Sequence, residues 1–209
     1  MEAWIAEAKA LLAALVAVPS VSAEGRALRE GAEKVAEVLE GLGLRAELHE
    51  GYGPPVVFAE GGEGERTLLF YNHYDVQPPD PLELWDTDPF VLAEREGAWY
   101  ARGAHDDKGE LVARVVALRR FQEKHGFLPR VKFVVEGEEE VVEGEGKRIE
   151  RPIFFARSST LNPKLVKRLI ASACSTSVPS DLAHIGLASP FYLLWLRSKD
   201  REGYRTKSP

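Results

Sequence analysis

One cysteine, Cys174, stands in the 209 residues. An internal disulfide framework and any cysteine-based zinc finger are therefore excluded, and a reducing cytoplasm is the default compartment. If a metal is bound, histidine and carboxylate side chains must bind it. Basic excess is also missing: 27 Lys and Arg face 33 Asp and Glu, a net charge of -6. That argues against a nucleic-acid binder or a polybasic membrane protein. Long apolar runs are absent too. Residues 185–196 are apolar but shorter than the about 20 residues a bilayer span needs. Residues 11–18 before Ser22-Ala23 faintly resemble a secretion signal. Glu2, Glu7 and Lys9 and the lack of a basic leader favour an amphipathic first helix instead. What is present is a 44% hydrophobic composition, enough for a real core.

The charge is unevenly spread. Residues 1–140 hold 15 basic and 27 acidic side chains, a net of -12, and residues 141–209 hold 12 and 6, a net of +6. Serine shifts with it: Ser20 and Ser22 are the only two before residue 141, against nine after it. This predicts a boundary, with one domain over 1–140 and a compositionally different tail over 141–209.

Periodicity predicts helices over residues 2–18, about 26–42, and 109–124. The second helix should bury Ala32, Val35, Ala36, Val38 and Leu39. Residues 44–49 alternate as a half-buried strand, and 55–59 form another short one. Residues 61–64 read as a turn. The almost wholly apolar 67–72 suits a strand buried on both faces, 99–100 a short strand, and 130–135 a strand running into Glu136. Strands alternating with helices point to a layered α/β domain.

Three clusters can carry chemistry. His73-Tyr74-Asp75 ends the apolar strand. Residues i and i+2 of a strand share a face, so Asp75 can fix the tautomer of a ligating His73. The alternative is two surface polar residues before Pro78-Pro79. Asp106 and Asp107 stand between Gly103 and Gly109 at a loop-to-helix junction. One of them can bridge two metal ions, or both can serve the helix N-terminus. Glu136-Gly137-Glu138-Glu139-Glu140 follows a strand. It reads as a general base beside a metal ligand, or as a solvated acidic loop. All three lie near C-terminal strand ends, where open α/β sheets place their sites.

With FYNHYDVQPP, LWDTDPF, GAWYARGAHDDKGE and FVVEGEEE in this order, residues 1–140 resemble the di-zinc metallopeptidase family. That family includes carnosinases and related dipeptidases, carboxypeptidase G, aminoacylase, acetylornithine deacetylase and succinyl-diaminopimelate desuccinylase. HYDVQP with the following Trp and Pro-Phe is most similar to the dipeptidase branch. Ala101 departs from the family, which usually has Gly there.

The resemblance implies a three-layer α/β/α, zinc-exopeptidase-like domain with a mostly parallel or mixed sheet. It implies that His73 and Glu140 each bind one zinc, Asp106 bridges both, Asp75 orients His73, and Glu139 is the general base. It also implies a cis peptide between Asp106 and Asp107. Cobalt or manganese can replace zinc, and the substrate is a dipeptide or an N-acyl amino acid. His105 and Lys108 are expected to shape the loop or face solvent.

After Glu140 the resemblance stops. Val141-Val142 replaces the usual Gly-Ser pair, and neither the family's further Asp and His ligands nor its lid domain, which mediates homodimerisation, is identifiable. Asp181 and His184 are the remaining candidates for ligands. The expectation is a truncated or frame-shifted member, weak or inactive because each zinc would have two protein ligands where catalytic sites use about three. The opposing expectation is a non-catalytic fragment whose basic tail binds a partner or is unstructured.

Overall fold

The computed structural model describes residues 2–51 and 53–140, and the backbone of 185–188 and 191–194. Helix α1 spans Glu2–Val16, α2 Leu28–Glu40 and α3 Lys108–His125. The strands are β1 (Arg45–His49), β2 (Val56–Gly61), β3 (Glu63–His73), β4 (Ala93–Arg95), β5 (Ala98–Tyr100), β6 (Pro129–Glu136), β7 (Ile185–Ala188) and β8 (Phe191–Leu194). Asp181, His184, Trp195, Leu196 and the serine-rich stretch from Ala171 lie outside the described residues.

Six strands form one mixed sheet in the order β1-β2-β6-β3-β8-β7, and β4 and β5 form a separate hairpin. Strands β3 and β6 are central neighbours, and they run parallel. The other pairings in the large sheet are antiparallel.

Strand alternation divides the side chains between the two faces. Leu48, Val57, Ala59, Phe70, Val131, Phe133 and Val135 join one core with Leu12, Leu15 and Val16 of α1, the α2 face, and Leu111, Val112, Val115 and Leu118 of α3. All three helices thus cover the same face of the sheet. The α/β class is as expected, and no second helical layer is present among the described residues. The opposite face carries a charged ladder, in which Arg45 and Lys132 both reach Glu60, at 2.8 and 3.2 Å. Burial alone would raise the Glu60 carboxyl, but these two cations hold it below its usual range.

Some boundaries differ from the periodicity for local reasons. Helix α1 stops at Val16 rather than Val18, because Val18 precedes Pro19 and is biased away from helical angles. Helix α2 begins at Leu28, since Arg26 is spent on a bridge to Val21 and Ala27 has φ 51°. The stretch read as a turn at 61–64 is a crossing. Only Gly62 separates β2 from β3, which flank β6 on its two sides. Gly62 has φ 76°, and a Cβ there would lie 2.2 Å from the Pro129 carbonyl oxygen, so only glycine fits where the chain passes the start of β6. No helix among the described residues is long and apolar enough to cross a membrane.

Candidate metal centre

Because β3 and β6 are parallel and in register from Leu68↔Val131 to His73↔Glu136, both end at the same edge. The segments that follow them, 74–77 and 137–140, therefore meet. The Tyr74 N–H continues the pairing by donating to the Glu136 carbonyl at 2.8 Å. Tyr74 itself is buried and donates its hydroxyl to the Pro55 carbonyl at 2.7 Å. A Cβ on Gly137 would lie 2.1 Å from that hydroxyl oxygen. Gly137→Ala must therefore displace either Tyr74 or the loop that carries Glu138 to Glu140. It is expected to cost about 1–3 kcal/mol, the usual range for overpacking. Urea denaturation checks this, and a wild-type midpoint would show that the loop gives way freely.

His73 ends β3, is 3% exposed, and its Nε2 lies 3.0 Å from Asp106 Oδ1 and 3.6 Å from Glu139 Oε2. Its Nδ1 faces the Asp75 backbone carbonyl at 3.1 Å and Asp75 Oδ1 at 3.4 Å. Both partners are acceptors, so Nδ1 carries a proton and Nε2 is the nitrogen turned toward Asp106 and Glu139. Burial disfavours a charged ring, but hydrogen bonds to Asp106 and Asp75 outweigh it and raise the imidazole to about 10.

Ligand atoms of His73, Asp106 and Glu140 all lie within 4.8 Å of one another. One imidazole and two carboxylates are donors that zinc and related divalent ions take. A carboxylate facing Nδ1 of the histidine is the usual support for such a ligand. The residues present therefore fit a metal ion.

The fully buried Asp75 does more than face His73. Its carboxylate accepts the N–H of Glu139 at 3.2 Å and that of Glu140 at 2.8 Å. One side chain thus ties the end of β3 to the acidic loop after β6. Glu139 is buried beside this contact, with its side chain 3% exposed.

The second loop is built differently from the capping alternative. Asp107 stands at the N-cap of α3 but makes no side-chain cap bond. Its Oδ2 instead accepts from Asn72 Nδ2 at 2.7 Å and from the His73 N–H at 3.1 Å, and burial raises its carboxyl. This leaves Asp106 exposed and facing His73. The Asp106–Asp107 peptide is cis, as the resemblance implies. His105 is exposed as expected, but Lys108 does not face solvent. Its ammonium is buried and donates to the Leu15 and Val18 carbonyls at 3.0 and 2.8 Å, closing the end of α1. Burial lowers it to about 7.

One contact has no counterpart in the sequence reading. Gln77 Nε2 donates to the Glu140 backbone carbonyl at 2.8 Å and to Glu140 Oε2 at 2.7 Å. A neutral amide carries no charge or ligand pattern to mark it.

Known proteins are similar to this chain over part of their length. A cysteinylglycine-S-conjugate dipeptidase of Corynebacterium striatum is 40% identical over 130 residues, 58% of this chain and 28% of its own length. A succinyl-diaminopimelate desuccinylase of Janthinobacterium is 34% identical over 154 residues, 73% of this chain and 40% of that protein. The crystal structure of an M20 family metallo-carboxypeptidase from Sulfolobus solfataricus superposes with a TM-score of 0.61 at 42% identity. It is matched over 64% of this chain and 31% of that one. The chain thus spans well under half the length of each. The profile of Peptidase family M20/M25/M40 matches residues 69–180, running past Glu140 into the stretch set apart above by its composition. That match takes in more than half of the sequence and all of His73, Asp75, Asp106, Glu139 and Glu140, and the chain belongs to Peptidase family M20/M25/M40.

Proposed function

We propose that the chain is a zinc-dependent hydrolase of amide bonds in dipeptides or N-acyl amino acids, with weak or no turnover on its own. The observation that carries this reading is the convergence of His73, Asp106 and Glu140 within 4.8 Å, beside the buried Glu139. The dipeptidase, carboxypeptidase and desuccinylase among its relatives support the substrate class. Zinc, when bound, supplies a Lewis acid for the scissile carbonyl and lowers the pKa of water.

His73 through Nε2, Asp106 and Glu140 would hold it, with Asp106 shared between two ions. Asp75 holds the proton on His73 Nδ1, so Nε2 is the nitrogen that would give up its proton to a metal. Glu139 accepts the proton of the attacking water on its carboxylate and returns it to the nitrogen of the leaving amine. Weak turnover follows from the ligand count. With Asp106 shared, His73 and Glu140 leave each ion two protein ligands among the described residues, against about three in catalytic sites.

That same count favours a second reading: a non-catalytic member whose basic residues 141–209 bind a partner. Zinc stoichiometry separates the two. Two tightly held zinc ions with hydrolysis of a dipeptide panel support the enzyme, and one weak ion or none without hydrolysis supports the second reading. An acidic chain acting on a small peptide in the cytoplasm needs neither nucleic acid nor membrane.

A further inference from the structure

We infer that Gln77 is a positioning residue that presets Glu140 for metal binding; this rests on the metal-centre reading above. Gln77 lies four positions beyond His73, on the segment that leaves β3. Its side-chain amide has two N–H donors. One Nε2 serves both the Glu140 carbonyl at 2.8 Å and Oε2 at 2.7 Å. The Glu140 N–H is held in turn by Asp75 Oδ2 at 2.8 Å. Backbone and carboxylate of Glu140 are therefore fixed from the same short segment that carries His73. Two candidate ligands from strands far apart in sequence share one mount.

The bond to Oε2 orients the carboxylate without consuming it, because a carboxylate has about four lone-pair sites. A glutamate left to rotate freely would have to be ordered when a metal arrives. Here the ordering is built in. The donor also suits the charge: an amide N–H supports a carboxylate that lies beside Asp106 without adding another cation to the site.

Titration of zinc alone, and of cobalt alone, into the full 209-residue chain tests this. Gln77→Met keeps the length and loses the donor. It is expected to weaken affinity for both metals by about 10- to 100-fold, the range for partners that support a ligand. The thermal unfolding temperature before metal addition should stay at the wild-type value, and the visible spectrum of the cobalt complex should shift. If Gln77→Met fails to fold, Gln77→Asn, whose amide is one methylene short of both acceptors, carries the same expectation. Wild-type affinity and cobalt spectrum in the folded variant overturn the inference. So does a loss of unfolding temperature without a loss of affinity, which would make Gln77 structural. A wild-type chain that binds neither metal overturns the metal-centre reading itself and the inference with it.

Discussion

Glu139→Gln is expected to lower hydrolysis of any dipeptide or N-acyl amino acid the chain turns over by about 100- to 10,000-fold, the usual worth of a positioned base. Metal content should stay nearly unchanged. The two expectations separate because of where Glu139 sits. Its side chain is buried with Oε2 3.6 Å from His73 Nε2, and its backbone N–H is held by Asp75. Glutamine has the same shape and keeps that backbone bond, so the acidic loop should hold its place. What it loses is the capacity to take a proton from water. Steady-state rates beside metal analysis of the same preparations check this. A glutamine variant with wild-type turnover would remove Glu139 from the reaction, and one that also loses metal would make it a ligand instead.

The three clusters that hold the site residues were legible in the sequence by residue type, and the resemblance to the family singled out their members. His73, Asp75, Asp106, Glu139 and Glu140 do meet, although His73 and Asp106 are 33 positions apart. Strand β3 was legible for a different reason: residues 67–72 read as an almost wholly apolar run. Less legible were partners whose role arises only when distant segments touch. Gln77 and Glu140 are 63 positions apart, and nothing local in HYDVQPP marks the glutamine as a clamp. Asp107 has the type and place of a helix cap, yet the close end of β3 takes its carboxylate. Lys108 has the type of a surface residue, but the open carbonyls at the end of α1 lie within reach of its buried ammonium. Strand β4 was missed because Ala93–Arg95 is three residues long and has no β-branched or aromatic side chain.

Asp106→Ala should abolish tight metal binding, a larger loss than that expected for Gln77, because one carboxylate is assigned to both ions. Its side chain is 68% exposed and its Oδ1 lies 3.0 Å from His73 Nε2, so it lies where a ligand can be reached. Little of the fold leans on it. The neighbouring Asp107 pins the loop to Asn72 and to the His73 backbone, and that attachment survives the substitution. The metal-free variant loses the contact to His73 but keeps that attachment, so its unfolding temperature should fall less than that of Asp107→Ala. Asp107→Ala is the contrast. It leaves the Asn72 amide and the His73 N–H without their buried acceptor, which costs about 1–3 kcal/mol in stability. Calorimetric metal titration and thermal unfolding of the two variants side by side resolve the roles. If Asp106→Ala binds zinc as tightly as wild type, the bridging assignment fails, and the ligands must be sought elsewhere, beginning with Asp181 and His184.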